Sequence, residues 1–234
     1  MRIDIISAVP GLLESPLRLS IPKRAVEKGL AEIQIHNLHE FGLGNYRQID
    51  DYPFGGGAGM VLMAEPLGNC LDSLLNSRTY DAVIYMSPDG ERFHQKMANR
   101  LSMLGNLIII CGHYKGIDQR IRDLYVTQEI SLGDFVLSGG EIAAAAVTDA
   151  ILRLIPGVLG NEESALSDTF QDDLLAPPLY TRPVEYKGLK VPDVLISGDH
   201  ARIEAWRMDM AEKRTAALRP DLYNKDNPEN GERE

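Results

Sequence analysis

Two short runs constrain this chain more than any other feature. Ala82–Met86 and Leu107–Cys111 carry no charged side chain. A strand buried on one face alternates apolar with polar residues. An unbroken apolar run is what burial on both faces demands, and that is the situation of a parallel sheet covered by crossover helices. Between the runs, Phe93, Met97, Leu101 and Leu104 recur at i, i+4, i+8 and i+11, one face of a helix. Strand, helix and strand in that order predict an α/β fold with a mainly parallel sheet. Ile3–Ser7 reads as a first strand, and Glu32–Leu38 alternates Ile33 and Ile35 with Gln34 and His36 as a half-buried one. Ser138-Gly139-Gly140-Glu141 has capping-box spacing. It predicts a helix from Glu141 through Ala143, Val147, Ala150, Ile151 and Leu154, stopped by Pro156 and Gly157.

The pattern then changes. Residues 161–176 are polar and acidic without sustained periodicity and read as a linker. After Pro177-Pro178, Ile203, Trp206 and Met210 predict an amphipathic helix opening near Ser197 or Asp199. From Asn224 the composition is that of disorder. The expected organisation is a domain over 1–160, a linker over 161–176, a small helical domain over 177–223 and a disordered tail over 224–234. The formal net charge of −10 disfavours a phosphate-binding partner unless cations cluster locally. The last stretch, from Asp221, holds five acids against two bases, while Arg202, Arg207, Lys213, Arg214 and Arg219 gather just before it. On charge alone that cluster is either a basic patch or a solvated helix face. No apolar run is long enough to span a bilayer, and Met1–Ile6 is too short for a signal peptide. Cys70 and Cys111, far apart and without CxxC spacing, imply no disulfide or zinc site and a reducing cytoplasm.

Three glycine-bearing loops follow three expected strands: Tyr85–Gly90, Cys111–Gly116 and Ser131–Gly140. Ligands of open α/β sheets sit beyond the carboxyl ends of strands, and glycine lets backbone N–H and C=O groups approach them closely. Each loop read singly is equally a tight turn; together they can form one pocket. Gly55-Gly56-Gly57-Ala58-Gly59-Met60 fails the nucleotide-loop patterns, because Met60 stands where GxGxxG needs glycine and no Gly-Lys-Ser/Thr follows. Asp50–Phe54 before it does not read as a strand, so a flexible loop closing over a substrate fits better. For acid–base chemistry the linker offers Glu162, Glu163, Asp168, Asp172 and Asp173, with Arg153 ending the preceding helix. The residues themselves do not choose among these acids.

The order of these segments resembles one family from about residue 1 to 222. Asp50–Met60, Gly112–Arg120, Leu132–Glu141, Arg153–Gly160, Asp168-Thr169-Phe170, Tyr180-Thr181-Arg182-Pro183 and Val191–Gly198 are similar to the bacterial tRNA (guanine-N1)-methyltransferases of the SPOUT class. These modify guanine 37, immediately 3′ of the anticodon. The resemblance implies a deep trefoil knot in the methyltransferase domain, against the general rule that chains are unknotted. It implies S-adenosylmethionine bent in that knot, a tRNA partner, a homodimer with composite active sites, and activity supported by magnesium.

By motif match, Tyr85, Met86, Ser87 and Pro88 would line the adenosine side. Gly112, Tyr114, Leu132, Gly133, Asp134, Phe135, Val136, Leu137, Gly139 and Gly140 would supply the remaining cofactor contacts. Asp168 would be the base at guanine N1 and Arg153 the stabiliser of O6, while Asp50, Gly55, Gly56, Gly57, Gly59, Ser164 and Arg182 would face the tRNA. No residue is assigned to a metal. The chain departs from the family pattern at Lys115, where an acid is usual, at His113, often Arg, and at Phe135, commonly Tyr. A knotted enzyme acting on ribose or another base fits the Asp168 context less well, and a binding protein without activity fits less well with intact loops, Arg153 and Asp168. A generic nucleotide-binding protein lacks its phosphate-loop motif.

Overall fold

The computed structural model describes residues 1–160, 169–170 and 173–223, and the chain divides into two compact units, Met1–Glu162 and Glu163–Glu234. The first unit is built on a five-stranded sheet of β1 (Arg2–Ser7), β2 (Glu32–Asn37), β5 (Ala82–Arg92), β6 (Asn106–Cys111) and β7 (Gln128–Ser131). Its order is β2-β1-β6-β5-β7 and every pairing is parallel. The apolar runs form the middle of this sheet. Alternation sends Ile3, Ile5, Ala82, Ile84, Met86, Leu107, Ile109 and Cys111 to one core. Ile6, Val83, Tyr85, Ile108 and Ile110 go to the other. Each unbroken run thus feeds two cores at once.

Helices cover both faces. Residues of α1 (Gly11–Leu17), α2 (Ser20–Glu27), α4 (Gln95–Ser102) and α6 (Glu141–Leu152) fill the first core, and those of α3 (Ala64–Ser77) and α5 (Gln119–Tyr125) the second. The α6 sequence Ala143–Ala146 has little side chain to separate it from its surroundings, and the helix packs against α1, α2, α4, β1 and β6. The capping box expected at its start is not formed. The N-cap is Gly140, without a side-chain cap, and Glu141 instead accepts a hydrogen bond from Ser7 Oγ at 2.8 Å. A tertiary partner 134 residues away has displaced the local one. The helix follows the expected pattern to Leu152, with Arg153 as its C-cap.

Two further readings are corrected by pairings remote in sequence. Asp50–Asp51 is a strand, β3, because it pairs antiparallel with β4 (Val61–Leu62) and so makes the glycine run a hairpin loop. β5 does not end at Met86. Met86 and Glu91 both pair with Ile130, so Ser87–Gly90 is extruded as a bulge and the strand resumes to Arg92.

In the second unit, β8 (Glu185–Tyr186) and β9 (Leu189–Lys190) make a hairpin, followed by α7 (His200–Leu218) and α8 (Pro220–Tyr223). Asp199 caps α7, accepting from the Arg202 N–H at 3.2 Å. Ala211 and Thr215 are its buried residues, and the Leu175 N–H donates to Thr215 Oγ1 at 2.8 Å. Leu166, Ser167 and the rest of 161–168 lie outside the described residues, as do 171–172 and the tail expectation for 224–234.

One charge is fully buried in the sheet. Asp4 of β1 accepts from Arg2 Nε (2.7 Å), Arg2 Nη2 (2.9 Å) and Tyr80 OH (2.8 Å), and its Oδ1 lies 2.7 Å from His36 Nε2. Burial alone would raise its pKa; the bonds from His36, Arg2 and Tyr80 outweigh burial and hold it down at about 2. Because the folded value lies below the ordinary 3.8, the associated stability is present above that pH and drains as pH falls towards about 2. Asp4→Asn is expected to destabilise by about 2 kcal/mol, since buried donors lose their charged acceptor. Urea unfolding at pH 7 and at pH 3 should show the gap between variant and parent narrowing at the lower pH.

Candidate active site

The carboxyl ends of β5, β6 and β7 open into one cavity of about 360 Å³. Its first wall is the β5 bulge. Tyr85 precedes the bulge with its phenol buried, which raises its pKa, and the Arg122 guanidinium of α5 lies 5.6 Å from the ring centroid. Arg122 is fixed in turn by Glu129 (2.7 and 2.9 Å) and Asp89 (2.9 Å), so this arginine ties the bulge, α5 and β7 together.

The second wall is the loop after β6. Tyr114 sits there at φ 59°, a left-handed conformation that non-glycine residues adopt at a cost and that gathers at functional sites. Its phenol is raised by partial burial and by the charge of Asp50. The third wall is the Leu132–Gly140 segment, which returns across the second. The Gly140 N–H donates to the Gly112 carbonyl at 2.7 Å, and His113 and Gly139 form an antiparallel bridge. A Cβ on Gly140 would lie 2.9 Å from Cys111 Cα and from Gly112 N. Only glycine permits this crossing.

The β3–β4 hairpin is fastened to the same loop. The Lys115 N–H donates to the Met60 carbonyl (3.0 Å), the Leu62 N–H to Gly116 (3.0 Å) and the Asp118 N–H to Leu62 (3.0 Å). Gly55, Gly56, Gly57 and Gly59 all have positive φ. The Lys115 stem lies over Gly59, where a Cβ would meet its Cγ at 2.9 Å. The hairpin tip is therefore held at its base, beside the second wall.

Tyr85, Met86, Ser87, Pro88, Gly112, Tyr114, Leu132, Gly133, Phe135, Val136, Leu137, Gly139 and Gly140 all line the cavity. Asp134 does not: it points outward and pairs with Arg92 at 2.7 Å. Reading the sequence missed Arg122, which also lines it; Asp89 and Ile117, within segments it singled out but given no role, line it too. Only the fold brings α5 to the β5 bulge, and no spacing announces that. Asp50 is on β3, and Arg153 sits half-buried at the C-terminal end of α6. The cavity touches the opposite end of that helix, at Gly140 and Ala143. By helix rise Arg153 stands about 20 Å along the axis from Gly140. Asp168 and Ser164 lie outside the described residues. Arg182 is exposed in the second unit.

The basic cluster of α7 is largely neutralised locally. Arg207 pairs with Glu204 (2.5 Å), Lys213 with Asp209 (2.7 Å) and Arg219 with Asp221 (2.7 Å). These exposed pairs favour the solvated-face reading for those three residues.

The cavity's lining suits a flat, partly polar ligand of nucleoside size. Apolar walls come from Met86, Ile117, Ile130, Leu132 and Ala143, and backbone groups are presented by Gly112, Gly133, Gly139 and Gly140. The family model for tRNA (Guanine-1)-methyltransferase TrmD matches residues 1–225. The tRNA (guanine-N(1)-)-methyltransferase of Christiangramia forsetii is 61% identical over 96% of this chain and 99% of its own length. That of Flavobacterium psychrophilum is 59% identical over 96% and 100%. That of Bacteroides fragilis is 59% identical over 95% and 99%.

The Gly140 crossing generates a stability test. Gly140→Ala is expected to cost about 2 kcal/mol, because its methyl meets backbone that cannot rotate away. Gly160→Ala, which meets nothing within 4 Å, is the control and is expected to be neutral. Thermal unfolding of the two variants separates them.

Proposed function

Because the chain belongs to the tRNA (guanine-1)-methyltransferase family, we propose that it transfers a methyl group from S-adenosylmethionine to N1 of guanine 37 in tRNA. The observation that carries this reading is the cavity itself: three strand-end loops meet in a glycine-lined crossing that leaves room for a nucleoside and exposes backbone polar groups to it. The proposed fold includes the family's trefoil knot. The tight passage of Gly139–Gly140 across Cys111–Gly112 supports it, since a threaded segment needs such a crossing. The proposed domain plan is a knotted unit over 1–160, a linker over 161–176 and a tRNA-binding unit over 177–223. The two free thiols, both buried, accord with the proposed reducing cytoplasm. Among the described residues no helix is long and apolar enough to cross a membrane.

When bound, S-adenosylmethionine supplies a sulfonium methyl whose transfer leaves a neutral thioether. Tyr85–Pro88 would hold the adenosine side, and Gly112, Tyr114, Leu132, Gly133, Phe135–Leu137 and Gly139–Gly140 the remainder; Asp134, turned outward to Arg92, is left out of this set. Guanine N1 carries a hydrogen, so the protein must remove it. Asp168 takes that proton, the N1 electron pair forms the bond to carbon, and the Arg153 guanidinium stabilises the charge that deprotonation places on O6. A free aspartate has a pKa of about 3.9 and is a weak base, so the step needs either partial burial that raises Asp168 or an Arg153 that makes the guanine more acidic. Asp50, Gly55–Gly57, Gly59, Ser164 and Arg182 would contact the tRNA. Magnesium is associated with the family's activity. Among the described residues no three His, Cys, Asp or Glu side chains gather to hold a metal, and Lys115 is a cation on the cavity wall. No step is therefore routed through it.

The active unit proposed is a homodimer in which one chain's cavity meets the partner's linker. Two observations support it. Arg153 stands far along α6 from its own chain's cavity. Exposed apolar side chains also stand on the cavity's third wall, Phe135, Val136 (88% exposed) and Leu137, and on α6 and the adjoining α1 region, Ile142 (60%), Val9 and Leu12. Apolar surface of this kind marks association, and a two-fold dimer buries the same patch twice and yields two equivalent sites.

Incubation with undermodified tRNA and isotope-labelled cofactor, followed by nucleoside mass spectrometry, is expected to reveal N1-methylguanosine next to the anticodon. Its absence, or a label on ribose, would overturn the assignment. Asp168→Asn is expected to abolish transfer with cofactor affinity nearly unchanged. Gly139→Trp is expected to block the cavity. Mixed dimers of these two inactive chains should regain one active site in two; folded heterodimers without activity would refute the composite site.

A further inference from the structure

At the cavity wall lies a polar pair that the proposed mechanism does not use: His113, which lines the cavity, and Glu141, which stands behind it. Glu141, at the first turn of α6, is 1% exposed. Its Oε1 is satisfied by Ser7 Oγ–H at 2.8 Å, but its Oε2 is buried without a hydrogen-bond partner among the described residues. His113 Nδ1 is likewise buried without a partner, and the two atoms face each other at 3.9 Å. A buried carboxylate oxygen and a buried ring nitrogen left unmade are each costly. Both costs vanish in one contact if the gap closes by about an ångström, to ordinary hydrogen-bond distance.

Among the described residues neither atom has another hydrogen-bond partner. Gly139 separates the pair on the cavity side: a Cβ there would stand 2.5 Å from His113 Nδ1 and closer still to Glu141 Oε2. The titratable neighbours are Cys111, whose buried thiol is raised by burial and by the Glu141 charge, and Tyr114, whose ring meets that of His113 edge-on at 4.8 Å. Neither is a cation. The loop holding His113 carries the left-handed Tyr114 and lines the cavity together with Gly139 and Gly140, so a ligand there bears directly on it.

We propose that Glu141 and His113 are a positioning pair for the cofactor. Filling the cavity presses the Gly112–Tyr114 loop onto α6, His113 Nδ1–H then donates to Glu141 Oε2, and that bond fixes the wall against which the ligand lies. His113 and Glu141 touch no reacting atom. They act through the backbone of Gly112, Gly139 and Gly140. The inference rests on the proposed function only in taking the ligand to be S-adenosylmethionine or its demethylated product, S-adenosylhomocysteine.

Calorimetric titration of the full chain with S-adenosylhomocysteine tests it. If the parent does not bind, the functional reading itself fails. If it binds, His113→Ala and Glu141→Ala are each expected to weaken binding about tenfold. The double variant should be no weaker than either single one, as coupled partners require. His113→Asn should bind within about twofold of the parent, because its amide nitrogen replaces Nδ1 as donor. Should Glu141→Ala not fold, the His113 series decides alone. Equal loss in His113→Asn and His113→Ala, or additive losses in the double variant, would refute the pair. Nitrogen NMR of the imidazoles gives an independent readout: among the five histidines, the one missing in His113→Asn should acquire a hydrogen-bonded Nδ1 proton on ligand addition. That proton should be absent in Glu141→Gln, whose amide would donate to Nδ1 instead. An Nδ1 signal unmoved by ligand would equally overturn the proposal.

Discussion

The contact between the Gly140 N–H and the Gly112 carbonyl, 2.7 Å long, organises the first unit. It joins the loops after β6 and β7, strands that β5 separates in the sheet, and it stands at the start of α6. Everything that gives the cavity its form follows. The Leu132–Leu137 stretch must arch outward to reach the crossing, the Gly112–Tyr114 loop must lie flat under it, and α6 must be alanine-rich to pass against the sheet. Close-packed interiors tolerate such a crossing only where side-chain volume is absent, which is why the site is written in glycine.

The sheet was legible because burial on both faces leaves a mark in composition: unbroken apolar runs with no other explanation. α6 was legible at its C-terminal end, where Pro156 and Gly157 act locally, and misread at its N-terminal end, where the capping-box rule met a competitor in Ser7. The Ser87–Gly90 bulge and the two-residue strand at Asp50 were not legible, because each exists through a partner remote in sequence, Ile130 and Leu62 respectively. The strand-end loops showed where a ligand would sit, but the contribution of Arg122 needed the fold. Composition could offer five acids in the linker without ranking them. Asp168 was selected by resemblance, a different kind of argument from a physical one.

The distribution of charge follows a consistent logic. Where cations cluster on α7, acids one turn away or just beyond the helix answer Arg207, Lys213 and Arg219, and an acidic protein keeps its surface mixed. Inside, Asp4 carries its charge because Arg2, His36 and Tyr80 all converge on it. Glu141 differs, a buried acid with one oxygen answered by a hydroxyl and the other by no hydrogen-bond donor among the described residues. A group of that kind persists where the surrounding structure holds it in place, and here the surroundings are the cavity wall.

The short ladder that joins Met60 and Leu62 to Lys115, Gly116 and Asp118 also bears on how such a chain can drift in sequence. Residues 52–59 are bounded by the ladder but contribute no bond to it, so the wall's backbone is held independently of the tip, and the tip answers to other constraints, the positive φ of Gly55, Gly56, Gly57 and Gly59 and the Lys115 stem over Gly59. One residue gained or lost between Met60 and Leu62 is different. Strand register inverts with a single-residue slip, which would turn Leu62 out of the core and pull Gly116 with it. The length of the hairpin's base is therefore fixed by backbone hydrogen bonds alone, whatever side chains stand there.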